Sequence, residues 1–301
     1  MVKEAAVNMH PSLDPLRSQY YRLASGHKLH YVEAGQGEDV WVCVHGNPTW
    51  AFYFRPLLLA MQSQVRILAV DHLGCGLSDK PQDAAYRLQD HCDNLTEWMD
   101  GLGLSRVTFV VHDWGGAIGL GAAVAFPERV RRLIVTNSAA FTSVDIPRRI
   151  ALCRIPWIGE WAMRRWNLFA RAACVMATKK GLTAEERAGL LAPYGSYADR
   201  IAIARFVQDI PLHAKHPSFA TLQAIEEKLP QLAEAKIPML FLWGMQDFCF
   251  NPEFLAQWRR FFPQAQIWAC ETAGHYLFLD AMEACVDQIT AFLAQEGNDA
   301  P

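Results

Sequence analysis

The sequence predicts an α/β protein built on a mostly parallel sheet, with a helical segment inserted before the last strands. Three observations lead there. Short runs of β-branched and aromatic residues recur along the chain, stretches of helix length separate them, and several of the runs are nearly solid hydrophobe. A strand covered by helices on both faces has no polar side to alternate with, so solid apolar runs interleaved with helices describe a buried parallel sheet.

In chain order the runs are "LHYVEAG" (29–35), "VWVCVHG" (40–46), "VRILAVDH" (65–72), "VTFVVHD" (107–113), "VRRLIVTNS" (130–138), "MLFLWGMQD" (239–247) and "AQIWACETAGH" (265–275). Those beginning at Val40, Val65, Val107 and Val130 are the solid ones. The alternation stops at about Phe141 and resumes at Ile237, and from 141 to 214 the sequence reads as helical and strandless. Such a break is too long for a loop. It reads as a helical cap over the carboxyl ends of the strands, where open α/β sheets place their active sites. The expected organisation is a core in two parts, 20–140 and 215–295, with the cap at 141–214 between them.

At 301 residues, 51% hydrophobic and 20% charged, the chain has the composition of a globular protein with a large core. A formal net charge of -3 lacks the basic excess of a nucleic-acid binder. The first 20 residues contain Lys3, Glu4, Asp14, Arg17 and two prolines but no apolar core, so no secretory signal is expected. No run approaches the length of a membrane span. The eight cysteines have no paired spacing and read as buried thiols of a cytoplasmic protein, without disulfides or a zinc site.

Four strand ends hold the chemistry: "HGNPTW" (45–50), "HDWGG" (112–116), "WGMQDF" (243–248) and "AGHYLF" (273–278). In a sheet wound this way they converge on one rim. Asp113, at a strand-to-helix elbow, reads as a nucleophile, His275 as a general base and Asp247 as the group that orients the imidazole. Their order matches the serine, acid, histidine order of the α/β hydrolases, with Asp in the serine's place. The elbow departs from G-x-S-x-G at its first position, which is Val111, while Gly115 keeps the second small site.

A carboxylate is already ionised at neutral pH, so Asp113 needs no activation and His275 is left to activate water. Asp113 is expected to attack an electrophilic carbon and form an ester, which water then cleaves. Backbone N–H groups of Asn47 and Trp114 are the expected oxyanion donors. The Asn47 amide and the Trp114 indole, both neutral donors, are placed to receive a departing anion such as halide.

These residues resemble the haloalkane dehalogenases, whose aspartate nucleophile sits in "HDWG" and whose halide donors are the following Trp and an Asn in "HGNP". Asp247 after the later strand, with Asn as the second donor, resembles their third subfamily. The pattern is equally similar to the β-lactone decarboxylases of long-chain olefin biosynthesis. The segments "DHLGCGLSDKP" (71–81), "APYGSYADRIAIARFVQDIP" (192–211) and "DFCFNPEF" (247–254) resemble both, over about Tyr20 to Leu293. The resemblance implies an α/β-hydrolase fold with a mostly parallel eight-stranded sheet, helices on both faces and a cap after the sixth strand. It implies dehalogenation of a haloalkane to alcohol and halide, or, as the alternative, decarboxylation of a β-lactone to an alkene. Neither needs a metal or organic cofactor.

Epoxide hydrolysis is a third reading if Tyr194 and Tyr197 mimic the paired lid tyrosines of that class. From another class, the scaffold could serve as a ligand-binding receptor without turnover, against which the intact triad argues. His112 and His45 read as packing residues at their turns, Asp71 as a loop organiser and Trp50 as a pocket wall or core residue. From Pro147 to Lys180 the cap carries Arg148, Arg149, Arg154, Arg164, Arg165, Arg171, Lys179 and Lys180 against Glu160 alone, interleaved with Trp157, Trp161, Trp166 and Phe169. That reads as a lid with a solvated basic face, or more sharply as a surface for self-association, a partner enzyme or the source of a lipid-like substrate.

Overall fold

The computed structural model describes residues 13–143, 146–155 and 157–298. Most of the N-terminal stretch read for a secretory signal lies outside the described residues. One eight-stranded sheet organises the rest. Its strands are β1 (Arg17–Arg22), β2 (Lys28–Ala34), β3 (Val40–Val44), β4 (Arg66–Val70), β5 (Val107–Asp113), β6 (Val130–Ser138), β7 (Met239–Gly244) and β8 (Gln266–Cys270). They lie in the order β1-β2-β4-β3-β5-β6-β7-β8. β2 runs antiparallel to both β1 and β4, and every later pairing is parallel.

Each of the seven apolar runs contains one strand. β1 is the addition: its sequence RSQYYR is polar because it borders only β2, and its residues are mostly half-exposed. At the centre, every residue of β5 and β7 is buried, as solid apolar sequence requires. Alternate side chains divide between two cores. Val42, Val44, Phe109 and Val111 face one side, and Trp41, Cys43, Ile67 and Val110 the other.

The helices are α1 (Arg55–Met61), α2 (Leu88–Gly101), α3 (Trp114–Ala125), α4 (Arg148–Cys153), α5 (Ile158–Trp166), α6 (Leu168–Met176), α7 (Ala184–Leu191), α8 (Ile201–Gln208), α9 (Phe219–Glu234), α10 (Pro252–Phe261), α11 (Leu277–Asp280) and α12 (Met282–Asn298). α3 lies between α2 and α9 on one face of the sheet, and α12 packs with α1 on the other. Helices α4 to α8 occupy the strandless interval between β6 and β7. Among the described residues no helix is long and apolar enough to cross a membrane.

The chain leaving α8 is pinned to the start of α2. The buried Asp209 carboxylate accepts from the Leu88 N–H at 2.9 Å, from Arg87 Nη1 at 2.8 Å and from the Ser218 hydroxyl at 2.6 Å. At the other end of the interval, Arg154 Nη1 donates to the carbonyls of Val207 and Ile210, each at 2.8 Å, tying α4 to the end of α8.

Candidate active site

Asp113 is the last residue of β5, and α3 begins at the next residue. Its backbone sits at φ 51°, ψ -127°, a conformation that strains a residue with a side chain. The surroundings hold it there. The Ser138 hydroxyl, at the end of the neighbouring β6, donates to the Asp113 carbonyl at 2.5 Å. Gly115 lies so close to the Val44 carbonyl that a Cβ would collide with it. The missing glycine at Val111 is accommodated one turn along α3, where Gly119 leaves room for the Val111 side chain.

The elbow aims the Asp113 carboxylate between two groups. Its Oδ1 accepts the backbone N–H of Asn47 at 2.6 Å, and the Trp114 N–H also bonds the carboxylate. Its Oδ2 lies 3.7 Å from His275 Nε2. On the far side of the imidazole, His275 Nδ1 is 2.7 Å from Asp247 Oδ2, and Asp247 Oδ1 accepts the Cys249 N–H at 2.6 Å. The structure therefore brings Asp113, His275 and Asp247 together from the ends of β5, β8 and β7.

Burial pushes the Asp113 carboxyl above its ordinary pKa, against the opposing pull of His275 and the two backbone donors. For His275, burial favours the neutral ring, but the charges of Asp247 and Asp113 and the hydrogen bond to Asp247 prevail and hold it above its ordinary value. The imidazole is thus coupled to the charge on Asp113.

Asn47 and Trp114 both line the cavity beside Asp113. The Asn47 amide gives one N–H to the Ile203 carbonyl at 3.1 Å, which leaves a second to offer. Among the described residues the Trp114 indole N–H has no protein acceptor; the ring itself packs against Phe206. The cavity holds about 830 Å³ of empty space, mouth included, and its walls are largely apolar: Phe141, Leu222 and Phe250, with Ile150 of α4, Phe169 of α6 and Val207 of α8. Among the described residues no group of three or more His, Cys, Asp or Glu side chains is arranged to hold a metal ion.

The remaining sequence candidates fall elsewhere. His112 packs behind the elbow, stacked on Tyr53 with Nδ1 3.1 Å from the Thr136 hydroxyl. His45 accepts the His72 N–H at 3.1 Å, and Asp71 gathers His30, the Ala51 N–H and the Leu77 N–H. Trp50 is fully buried and donates its indole N–H to the Gly189 carbonyl. Neither lid tyrosine lines the cavity: the Tyr194 hydroxyl donates to the Thr49 carbonyl, and Tyr197 lies exposed beneath Arg164. The pair expected of an epoxide hydrolase does not converge here.

Sequence reasoning assigned nothing to Ser138 or Phe250 and read Cys249 only as a buried thiol, whereas it is half-buried in the cavity wall. Phe250 stacks on the His275 ring at 5.7 Å between centroids and also walls the cavity. Its segment, "DFCFNPEF", stood out in the sequence, but only tertiary contact gives the ring this place.

A sheet of this order, carrying an elbow carboxylate, a histidine and an acid at three strand ends, defines a class before any comparison is made. Residues 40–281 match the family model described as alpha/beta hydrolase fold, and the chain belongs to that family. Within it, the chain is 39% identical over 284 residues to the cis-3-alkyl-4-alkyloxetan-2-one decarboxylase of Shewanella oneidensis, covering 92% of this chain and 88% of that protein. It is 30% identical over 277 residues to haloalkane dehalogenase 2 of Mycobacterium tuberculosis, covering 90% and 93%. The crystal structure of haloalkane dehalogenase DatA from Agrobacterium tumefaciens C58 superimposes with a TM-score of 0.85 at 26% identity, covering 95% of this chain and 99% of that one.

Proposed function

We propose that this chain is a carboxylate-nucleophile enzyme of the α/β-hydrolase family, and that it dehalogenates haloalkanes through an alkyl ester on Asp113. The observation that carries the reading is the division of labour between the two Asp113 oxygens. Oδ2, facing His275 and the cavity, attacks the carbon bearing the halogen; the C–O bond forms as the carbon–halogen bond breaks. The halide departs toward the indole N–H of Trp114 and the free amide N–H of Asn47. Water then attacks the ester carbon Cγ, giving its proton to His275. Negative charge develops on Oδ1, which already accepts the Asn47 N–H beside the Trp114 N–H on the same carboxylate, a contribution of about 3 kcal/mol per donor. Collapse releases the alcohol and restores the carboxylate.

The same charges make the steps succeed one another. Esterification neutralises Asp113 and so removes one of the two anions that favour His275 in its protonated form. The ring is released as a base when a base is needed.

A second reading rests on a specific observation, the greater identity to the oxetanone decarboxylase, 39% against 30%. The nucleophile and the two donors serve both readings; the His275–Asp247 pair beside Asp113 favours the first, since only hydrolysis needs a base for water, and likeness favours the second. In a β-lactone, Oδ2 attacks the ring carbon bonded to the ring oxygen, with inversion, and the strained C–O bond opens to a carboxylate held by Asn47 and Trp114. Loss of carbon dioxide from the adjacent carbon then forms the alkene and expels Asp113. This route consumes no water and, by inversion followed by anti elimination, converts a cis lactone into a cis alkene. The reading also puts the chain in the cytoplasm, supported by eight free cysteines, five of them buried.

The test pairs two assays on one preparation: halide release from 1-bromohexane and 1,2-dibromoethane, and alkene formation from a long-chain cis-β-lactone, each with Asp113→Ala as control. Halide release abolished by that change supports dehalogenation. Alkene without halide moves the chain to the second reading. Activity that survives Asp113→Ala in either assay excludes the proposed nucleophile.

A further inference from the structure

Apart from the cavity, the most unusual surface of the molecule is the outer side of the cap helices. Trp157 is 89% exposed, Ile158 67%, Trp161 49%, Trp166 52% and Leu168 50%, in a chain whose other tryptophans are largely buried. Trp157 also takes a left-handed backbone conformation, φ 64°, which strains a bulky side chain. Soluble surfaces rarely carry such a concentration of large apolar side chains without a partner.

These side chains are contiguous. Trp157 and Trp161 are one helical turn apart, with the Trp161 N–H on the Trp157 carbonyl at 3.0 Å. Trp161 meets Trp166 edge to face, 4.6 Å between centroids. Trp166 then forms one wall of a groove shared with Arg165, Arg171, Arg187, Arg200 and Val175. Arg200 is committed to carbonyls of Tyr194, Arg164 and Gly195. Among the described residues, no carboxylate stands within ion-pair distance of Arg165, Arg171 or Arg187, and Glu160 is taken by Arg164 and Arg205. A row of tryptophans thus runs into a cluster of uncompensated guanidinium groups.

We infer that this face docks on an anionic phospholipid surface, with Trp157, Trp161 and Trp166 at the level of the headgroups and Arg165, Arg171 and Arg187 on their phosphates. The occupant is argued from charge and from side-chain chemistry. Tryptophan has an apolar body and one N–H donor, which suits the boundary between acyl chains and headgroups, and arginine pairs with phosphate through two N–H groups. A second copy of the chain is disfavoured, because a two-fold interface would set the same arginines against each other. The fold also gives docking a purpose. α6 presents Arg171 and Val175 to the groove and Phe169 to the catalytic cavity, so one helix separates the lipid-facing surface from an apolar chamber. The inference stands whichever electrophile that chamber takes.

The experiment is flotation of the full chain with phosphatidylglycerol-containing vesicles, with pure phosphatidylcholine vesicles as the comparison. We expect binding to the anionic vesicles only, weakened by salt, and about a hundredfold lost in Arg165→Glu/Arg171→Glu/Arg187→Glu at an unchanged melting temperature. The corresponding triple Lys variant retains binding. Brominated lipid is expected to quench the tryptophan fluorescence of the wild type more than that of Trp157→Ala, a change at an exposed position that spares the fold. Failure to float with anionic vesicles overturns the inference. So do equal binding to both vesicle types and binding of inorganic phosphate without flotation. A dimer in sedimentation that the Glu variant dissolves would assign the face to a second copy instead.

Discussion

At the scale of single residues, the chemistry turns on which oxygen of Asp113 does what. Oδ1 accepts the Asn47 N–H and Oδ2 faces His275, so Asp113→Asn removes the anion while leaving the cradle, and turnover is expected to vanish with the fold intact. His275→Phe leaves the attack possible and removes the base, so incubation with a bromoalkane is expected to add the mass of one alkyl group to the intact protein; an unmodified mass would rule out the ester. The pH dependence has a definite sign. Ester hydrolysis needs neutral His275, whose pKa lies above its ordinary value. Dehalogenating turnover therefore falls as pH drops below the pKa that His275 has in the ester, which the loss of the Asp113 charge sets under that raised value, and ester accumulates on the acid side, where rapid quenching and mass analysis detect it. The meeting of Asp113, His275 and Asp247 was legible in the sequence because each ends an apolar run and their order along the chain is characteristic. Ser138 was not legible, since a serine at a strand end has no signature until the neighbouring strand places it on the elbow.

At the scale of elements, two junctions position the site. Gly46 follows β3 so closely against the Asp113 carboxylate that a Cβ there collides with the side chain. Gly46→Ala is expected to displace the nucleophile and lower activity by about a hundredfold, the consequence of a misplacement near 1 Å; kinetics beside circular dichroism of the folded variant check it. Asp209 fastens the exit of α8 to the first turn of α2 through three donors. Removing it in Asp209→Ala leaves the Leu88 N–H, the Ser218 hydroxyl and Arg87 without their acceptor, at a cost of about 3 kcal/mol, measurable as a lowered urea midpoint. Periodicity found the strands of the inner sheet but passed over β1, because an edge strand open to water needs no apolar run. It also located the strandless interval without resolving it into five short helices, whose limits depend on contacts such as Arg154 with the end of α8.

At the scale of the whole molecule, the buried histidines set a limit on acid stability. Burial depresses His45, His72 and His112 below their ordinary values and carries His91 down to about 3. Below about pH 6.5 the unfolded chain takes up protons that these folded rings refuse, so stability falls with pH by up to about 1.4 kcal/mol per histidine per unit. His275, with its raised value, works in the opposite direction but is one against four. A urea midpoint markedly lower at pH 5.5 than at pH 7.5 is expected, and equal midpoints would contradict the buried neutral state.

By itself the sequence determined the fold class and placed Asp113, Asp247, His275, Asn47 and Trp114 at the strand ends that meet beside the cavity. Those features are written in local pattern: apolar runs, turn residues and short motifs at strand ends, each of which acts over a few residues. Only the tertiary structure decided that Tyr194 and Tyr197 turn away from the cavity, that Phe250 stacks on His275, and that Trp166 shares a groove with Arg165, Arg171 and Arg187. Each of these depends on packing between separate elements, which no local pattern encodes and which chooses the side chains that meet.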